Sequence, residues 1–473
     1  MSKNITKVRC TMKNNSKRIV LLMVVFMVLI LSSNSFAANE QPHVIQGVKV
    51  YIDGTIFQTE SPFYNLNGFT LVPMRPIFEG LGAKVKWEQS TKTIVASTEE
   101  RIIELTIDKD IAKINDKSHS LTVAPKLINN TTYVPLRFVA EALMYEVDWD
   151  SRNKAISIID TREISKIKQL KVYETSLFFD RDFVKIDIFN NEKINVFGRT
   201  GLEKTGWLFS INNNLGECIK KEYNDISYNG TYEKSFSIGA DLEEGDYKLN
   251  IYFKEGQDSL YWAYYWNIPL SYKDGEIFFP ISPIYENNYI QYVKNSILEP
   301  NSYLDIDIAN ESERKEIKKL AHEITKDASN DYDKLIKINE WVAQNIYYDW
   351  DGYIAGNYGR TDAYGTLEAR KSVCQGYAEL TNALLRSIGI PSRVVSGHAL
   401  GVSASGNYWD AVDHTESNHA WNEAYVDDRW IILDTTWNSE NKYEDGKFQK
   451  EAMSYRYFDP TLEVFSYTHK IIE

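Results

Sequence analysis

Cys374 begins the segment of this chain that is best suited to nucleophilic chemistry. It precedes an apolar run that stops before Gly389: Leu380, Ala383, Leu384, Leu385 and Ile388. This spacing predicts an amphipathic helix with Cys374 in its first turn. Unpaired amides at a helix N-terminus favour the thiolate, which is the nucleophilic form of cysteine. Cys374 is therefore a candidate nucleophile, although a lone cysteine is more often a small buried apolar residue.

A β-hairpin is predicted downstream of this helix. Residues 419–426 and 429–434 both alternate between apolar and polar side chains, and Asp427 and Asp428 between them are typical of a tight turn. A two-residue turn determines which residues of the two strands pair with each other, and it therefore sets the register of the hairpin. A three-residue loop would instead reverse the faces of one strand.

The predicted register brings two chemically active side chains together. His419 lies opposite Thr436, and Asp434 projects from the same face as a diagonal neighbour of His419, at about 7 to 8 Å between backbones. A thiol at Cys374, an imidazole at His419 and a carboxylate at Asp434 form a constellation for nucleophilic acyl transfer.

Four motifs resemble the transglutaminase-like superfamily of papain-like enzymes, over roughly residues 331–437. They are Cys374-Gln-Gly-Tyr-Ala, Gly389-Ile-Pro, His419-Ala-Trp-Asn and Asp434-Thr-Thr-Trp. The resemblance implies that Cys374 is the nucleophile, that His419 is the general base and then the acid, and that Asp434 orients His419. Ser372 departs from the glycine of many relatives.

The resemblance also bears on neighbouring residues. The segment Tyr347-Tyr348-Asp349-Trp350 resembles one that lines the active-site cleft in relatives. One of its aromatic side chains is expected to help hold the oxyanion, together with the backbone amide of Cys374. His398 and His414 lack the hairpin geometry and are interpreted as loop residues.

The N-terminus has the pattern of a secretory signal. Basic residues precede an apolar run at 19–31, which is short for a membrane span, and Ser35-Phe36-Ala37 suits a signal peptidase. We predict a signal peptide at residues 1–37, with an uncleaved anchor as the alternative. The mature chain would be secreted or at the cell surface, without membrane association after cleavage.

The composition argues against several classes of partner. The formal net charge is −13, and removal of a basic signal would make the chain more acidic, so nucleic acid is not expected. Acyl transfer by a thiol, an imidazole and a carboxylate requires no cofactor and no metal. Cys218 and Cys374 fall in different predicted domains, and because pairing would consume the nucleophile, no structural disulfide is expected.

Residues 44–160 contain an internal repeat with an offset of 62 residues. The segment from Leu71 to Trp87 returns as the segment from Tyr133 to Trp149. Each copy predicts a strand, a helix that starts after proline and two further strands. The repeat resembles the copper amine oxidase-like N-terminal domain of secreted bacterial proteins. Copper chemistry needs clustered imidazoles, and this segment has only His119, so a stalk or wall-binding module is expected.

The fold class expected is multidomain α+β. A tandem-repeat α/β domain at 44–160 is followed by an antiparallel β-sandwich at 161–285, where short alternating runs are separated by Asn, Gly and Asp clusters. A papain-like, transglutaminase-core domain spans 300–473. Amphipathic helices are predicted at Glu311–Thr325 and Asp331–Asn345, the second with Asn330 as its N-cap.

The expected function is acyl transfer from peptide or carboxamide bonds of surface or cell-wall proteins or peptides, with hydrolysis as the preferred outcome. The alternatives are a protein cross-linking transglutaminase and a non-catalytic cell-surface binding protein. Residue types alone do not separate water from an amine as the second nucleophile, because that choice depends on the shape of the cleft.

Overall fold

In a computed structural model, the described residues run from 41 to 472 with gaps at 152, 176–182, 201–203, 228–229, 239–241, 256–260, 402–408, 410–416, 445–446 and 451–452. The predicted signal peptide at residues 1–37 lies outside them. The described chain is multidomain and mostly β-sheet, with some helices. None of its described helices combines the length and the apolarity that a membrane crossing requires.

The chain divides into two compact units. Among the described residues, one unit contains those up to Gly47 together with Thr59–Val139, and the other contains Val48–Gln58 and those from Ala140 onward. The elements of residues 43–160 are short strands and two helices: β1 His43–Val44, β2 Lys49–Ile52, β3 Thr55–Phe57, β4 Tyr64–Leu66, β5 Phe69–Pro73, α1 Met74–Gly80, β6 Lys84–Glu88, β7 Thr93–Ser97, β8 Ile102–Thr106, β9 Ile111–Ile114, β10 Lys117–Ser120, β11 Lys126–Ile128, β12 Thr131–Pro135, α2 Leu136–Ala142, β13 Tyr145–Asp150 and β14 Ala155–Asp160.

The two similar sequence segments fold in the same order of elements. The first forms β5, α1, β6 and β7, and the second forms β12, α2, β13 and β14. Pro73 ends β5 and is the N-cap of α1, which fits the restricted φ of proline. The first unit contains the sheets β1-β4-β5-β12-β11 and β10-β9-β8-β7-β6.

A four-stranded sheet, β13-β14-β2-β3, belongs to the second unit. Strand β14 pairs in parallel with β2, so that Ala155 lies opposite Lys49. Tyr51 and Ala155 of this sheet form a buried cluster with Ile297. The sheet therefore packs against residues that lead into the C-terminal half of the same unit.

Where residues 161–280 are described, they form one short helix and ten strands: α3 Arg162–Lys166, β15 Gln169–Leu170, β16 Val172–Glu174, β17 Phe183–Phe189, β18 Lys193–Arg199, β19 Lys204–Asn213, β20 Cys218–Asp225, β21 Thr231–Ser237, β22 Gly245–Glu255, β23 Tyr261–Lys273 and β24 Glu276–Pro280. They form two antiparallel sheets, β15-β24-β23-β22-β19-β20 and β16-β17-β18-β21. Both sheets contribute to one core cluster, in which Val184 and Ile194 meet Phe209 and Leu249.

The remaining elements form the helical part of the second unit and its last sheets: α4 Tyr285–Ser296, α5 Glu311–Thr325, α6 Asp331–Asn345, β25 Tyr347–Tyr348, α7 Trp350–Ala355, α8 Ala363–Ala369, β26 Lys371–Ser372, α9 Cys374–Ser387, β27 Ser392–Ala399, β28 His419–Val426, β29 Arg429–Leu433, α10 Thr435–Asn438, β30 Lys442–Glu444, β31 Lys447–Gln449, α11 Leu462–Phe465 and β32 His469–Ile471, with a 3-10 turn at Pro300–Tyr303. The predicted bounds of α5 and α6 are confirmed, and Asn330 caps α6 by accepting from the Asp333 amide at 2.8 Å.

Helix α9 lies against a four-stranded sheet of order β29-β28-β27-β32. Their shared core contains Leu384 and Leu385 of the helix together with Ala424 and Ile431 of the sheet. Because α9 begins at Cys374 and β28 begins at His419, this packing brings the ends of the two elements together.

Candidate active site

Cys374 occupies the first position of α9, as predicted. Val373 is the N-cap, and no side chain caps the first amides of the helix. The helix ends before Gly389, whose φ of +83° is the left-handed conformation typical of a helix C-terminus. Cys374 is half-buried and carries a free thiol. The sulfur therefore lies at the positive end of a 14-residue helix.

The hairpin turn has the predicted register. Asp427 and Asp428 have φ values of 51° and 60°, as a type I′ turn requires, and Val426 pairs with Arg429. The prediction that pairing continues to Thr436 is wrong, because β29 ends at Leu433. Asp434 ends the strand by accepting hydrogen bonds from two backbone amides of α10, which starts a helical turn.

The structure nevertheless brings His419 and Asp434 into direct contact. His419 Nε2 donates to Asp434 Oδ2 at 2.6 Å, and both side chains are buried. Asp434 Oδ1 accepts from the amides of Thr436 at 2.9 Å and Trp437 at 3.0 Å. Since Nε2 of His419 is directed at the carboxylate, Nδ1 is the nitrogen available for the hydrogen bond with Cys374.

These contacts set the charges of the pair. Burial lowers the pKa of His419, but the charge of Asp434, their hydrogen bond and the contact with Cys374 outweigh it and raise this pKa to about 10. Burial raises the pKa of Asp434, but the charge and hydrogen bond of His419 and the hydrogen bond of a second imidazole, His469, hold it well below its usual range. At neutral pH the pair is an imidazolium and a carboxylate.

Two buried contacts hold the elements of the site in place. Asn422 of β28 donates from Nδ2 to the carbonyl oxygen of Ala378 in α9 at 2.9 Å. Thr381 of α9 and Thr435 of α10 are joined through their hydroxyls at 3.1 Å. The helix that carries Cys374 is thereby tied to the strand that carries His419 and to the turn next to Asp434.

His469 is the residue of this site that sequence reasoning missed. It lies on β32, and its Nε2 is 3.2 Å from Asp434 Oδ2. It lies more than thirty residues after the last of the four motifs that resemble the transglutaminase-like superfamily. The local sequence shows only a short alternating run around His469, and nothing in that run indicates which sheet the strand joins.

Tyr348, in the predicted cleft segment, interacts electrostatically with Cys374. Burial and then the electrostatic interaction with Cys374 raise the pKa of Tyr348, so its hydroxyl keeps its proton at neutral pH. The ring of Tyr347, in contrast, lies 5.7 Å from that of Phe448. Next to Tyr348, Trp350 and Tyr353 are exposed and stack on each other with ring centroids 5.8 Å apart.

The other two histidines of this region differ from the site residues. The interpretation of His398 as a loop residue is wrong, because it lies in β27 and is buried, with Nε2 3.3 Å from Asn418 Nδ2. His414 lies outside the described residues.

His419, Asp434 and His469 form a cluster of metal-ligand types, with ligand atoms within 4.8 Å of one another. Both imidazoles already direct Nε2 at the same carboxylate oxygen. An ion would have to displace both of these protons and separate side chains that are fully packed. The donor set therefore suits a hydrogen-bonded network better than a metal centre.

Two family models match this chain. The model described as transglutaminase-like superfamily matches residues 318–435, and the model described as copper amine oxidase N-terminal domain matches residues 51–158. Both resemblances predicted from sequence motifs are thus confirmed. The first match includes Cys374, His419 and Asp434 and ends before His469.

Individual relatives match this chain over only part of their own length. Kyphoscoliosis peptidase of Mus musculus is 27% identical over 124 residues, which cover 26% of this chain and 18% of that protein. A protein named protease inhibitor from Brevibacillus choshinensis is 27% identical over 139 residues, 29% of this chain and 41% of that protein. The chain thus spans less than half the length of either relative.

Among solved structures, the periplasmic domain of TgpA from Pseudomonas aeruginosa is 13% identical, with 59% of this chain and 91% of that chain covered at a TM-score of 0.23. The family models carry the assignment: the chain contains a segment of the transglutaminase-like superfamily, preceded by a segment of the copper amine oxidase N-terminal domain type.

Proposed function

We propose that this chain is an exported cysteine-nucleophile enzyme that hydrolyses peptide or carboxamide bonds of surface proteins or peptides. The observation that carries the proposal is the contact of a half-buried thiol at a helix N-terminus with an imidazole that is bonded to a buried carboxylate. Pure binding does not require this combination of groups.

The reaction follows from the positions of these groups. The Cys374 sulfur attacks the carbonyl carbon and forms a C–S bond, and the backbone amide of Cys374 with the Tyr348 hydroxyl stabilises the oxyanion. His419 gives its proton to the leaving amine as the C–N bond breaks, which leaves a thioester. His419 then takes a proton from water, which attacks the thioester, releases the acid and restores Cys374.

The surface next to the sulfur supports a polypeptide substrate. Trp350, Tyr353 and Ile354 are 60%, 51% and 70% exposed, and Tyr348 connects them with Cys374. Exposed apolar side chains of this size next to a reactive group favour an extended segment with apolar side chains. The name of kyphoscoliosis peptidase agrees with a peptide substrate.

The modules before the site are proposed to keep the enzyme at the cell surface. The repeat domain at 44–160 and the β-sandwich at 161–285 would serve as a stalk or wall-binding part, with secretion directed by residues 1–37. A pull-down of the mature chain on purified cell wall is expected to recover it. Recovery no greater than that of an unrelated acidic protein would contradict this part.

The test of the activity uses bovine β-casein as an unfolded protein probe, with and without cadaverine, followed by mass spectrometry. Hydrolysis predicts new casein fragments or a mass gain of deamidation, which Cys374→Ala abolishes. Cadaverine-tagged casein would instead establish a transglutaminase. No difference between the wild-type chain and Cys374→Ala on casein or on cell-wall protein extract would contradict catalysis.

A non-catalytic peptide-binding protein is the second candidate. The relative named protease inhibitor favours it, because that name describes binding without turnover. Binding of β-casein that is equally tight in the wild-type chain and in Cys374→Ala, with no product from either, would support this candidate.

A further inference from the structure

We propose that His469 is a positioning residue of this site, which fixes the Asp434 carboxylate and keeps the shared proton of the Asp434–His419 hydrogen bond on His419. The proposal rests on the proposed function and extends it to a residue beyond the segment that the transglutaminase-like model matches.

The tautomer of His469 follows from its two partners. A carboxylate oxygen only accepts hydrogen bonds, so the Nε2 that lies 3.2 Å from Asp434 Oδ2 must carry a proton. Nδ1 of the neutral ring then accepts from the Thr468 hydroxyl at 2.9 Å. Burial, as the largest cause, lowers the pKa of His469 to about 4, which keeps the ring neutral.

The ring of His469 is also held mechanically. It stacks on Phe465 with centroids 4.4 Å apart and an interplanar angle of 11°, and Trp437 meets it at 4.4 Å. It is fully buried, with Nε2 directed at Asp434. A neutral imidazole in such an apolar enclosure serves as a fixed N–H donor.

This donor changes the balance between Asp434 and His419. With His469, the buried carboxylate accepts four hydrogen bonds, two on each oxygen. A carboxylate with more donors is less basic, so the proton in the 2.6 Å bond stays on His419 and the imidazolium remains charged next to Cys374. Without His469, the buried carboxylate would draw this proton toward itself.

The strand that carries His469 is anchored from a distant helix. Asn288 of α4 donates to the His469 carbonyl oxygen at 2.7 Å and accepts from the Ile471 amide at 2.8 Å. Asn288 is itself fully buried. Asn288 thus holds the backbone of β32 at His469 and at Ile471. This fixes the position of the imidazole, as a positioning role requires.

The test compares His469→Leu, which removes the donor, with His469→Gln, which restores an N–H group. The charged or titratable groups around the ring are Cys374, His419, Asp434, Arg456 and Tyr457. Two readouts report on them: the pH profile of Cys374 alkylation by iodoacetamide, followed by peptide mapping, and the one-bond ¹⁵N–¹H coupling of His419 Nε2 in ¹⁵N-histidine spectra. Peptide mapping separates Cys374 from the exposed Cys218.

We expect His469→Leu to slow alkylation at pH 6 by about tenfold and to reduce the coupling at His419, because a hydrogen bond to a charged group is lost. His469→Gln should remain close to wild type. The control His398→Leu removes another buried histidine of the same sheet, which does not contact Asp434, and should leave both readouts unchanged.

A folded His469→Leu chain with wild-type alkylation and coupling would overturn the proposal. Equal losses in the Leu and Gln variants would also overturn it, since they would show a purely structural role. If His469→Leu does not fold, Thr468→Val decides, because it keeps the ring but removes the donor to Nδ1; unchanged readouts there would refute a positioning role. Both readouts are independent of casein turnover, so failure of the proposed function would be seen separately.

Discussion

At the scale of residues, the sequence predicted three of the side chains that meet at the site but not the fourth. Cys374, His419 and Asp434 could be found because a helix start and a two-residue turn fix their positions locally. His469 could not, because its approach to Asp434 depends on the pairing of β32 with β27, which brings together distant parts of the chain. Local patterns carry no information on such pairing.

Gly376 is required by close packing behind the nucleophile. A Cβ at this position would lie 2.0 Å from Ser372 Oγ and 2.3 Å from Thr366 Oγ1, and both hydroxyls are buried. Gly376→Ala should lower the free energy of unfolding in urea by about 1–3 kcal/mol. Ser372→Ala removes one of the colliding atoms, so the double variant should recover part of this loss. Additive costs would contradict the close contact.

Tyr348 is expected to act through its hydroxyl. Tyr348→Phe should reduce casein turnover by about a hundredfold if the phenol stabilises the oxyanion. Tyr347→Phe, in the same strand, is the matched control and should leave turnover nearly unchanged, because its ring lies next to Phe448. Equal rates for the two variants would remove Tyr348 from the oxyanion site.

His419 and His469 should make the free energy of unfolding depend on pH in opposite directions. The pKa of His419 in the folded chain, about 10, exceeds the ordinary value of about 6.5, so its contribution is complete below about pH 6.5 and is lost as pH rises toward 10. The pKa of His469, about 4, lies below that value, so its contribution is lost as pH falls from about 6.5 to 4.

Urea unfolding at pH 5, 6.5 and 8.5 checks this dependence. Between pH 6.5 and 5, His469→Gln should lose less stability than wild type. Between pH 6.5 and 8.5, His419→Gln should lose less than wild type. Variants whose stability changes in parallel with wild type over both intervals would show that neither histidine has the pKa stated above.

At the scale of elements, the bounds of α5 and α6 could be predicted from their apolar spacing, to which α6 adds the cap Asn330, and the start of α9 could be predicted from the apolar run that follows Cys374. The end of β29 could not, because Asp434 competes for backbone amides through its side chain and starts a helical turn. The contact of His419 with Asp434 survives this change, since the carboxylate remains at the end of the strand. Helix α4 is a further element whose role is visible only in three dimensions.

Helix α4 is expected to stabilise the site through Asn288. Asn288→Ala would leave the Ile471 amide and the His469 carbonyl without their buried partner, at a cost of about 1–3 kcal/mol. The same substitution at the exposed Asn301 should change stability by less than about 0.5 kcal/mol. Chemical unfolding of both variants tests this difference, and equal costs would show that α4 does not hold β32.

At the scale of the whole molecule, the sequence repeat predicted the order of elements in residues 71–160 but not how they are grouped. Strand β14 pairs with β13 and also, in parallel, with β2, and all three belong to the larger unit, whereas β6 and β7 of the first copy lie in a sheet of the smaller unit. A parallel pair between segments so far apart leaves no mark in local periodicity. The boundary between compact units therefore falls inside the segment that resembles one family domain.

The sheet formed by β2 and β14 should contribute measurably to the stability of the larger unit. Ile297→Ala is expected to cost about 2–4 kcal/mol, and less once Tyr51 is also replaced by alanine, because the two side chains share one buried cluster. Ile297→Ala combined with Leu335→Ala, which lies in a different core cluster, should instead be additive. Additivity in both pairs would mean that Tyr51 does not pack on Ile297.

The position of His469 in the chain also determines when the site can be completed during synthesis. During synthesis Cys374 leaves the ribosome well before His469, and at about 5–20 residues per second several seconds separate the two. Over that interval a nascent chain holds its nucleophile without the strand that completes the network around Asp434. If His469 positions Asp434 as proposed, the thiol would reach its full reactivity only after translation has passed His469 and β32 has paired with β27.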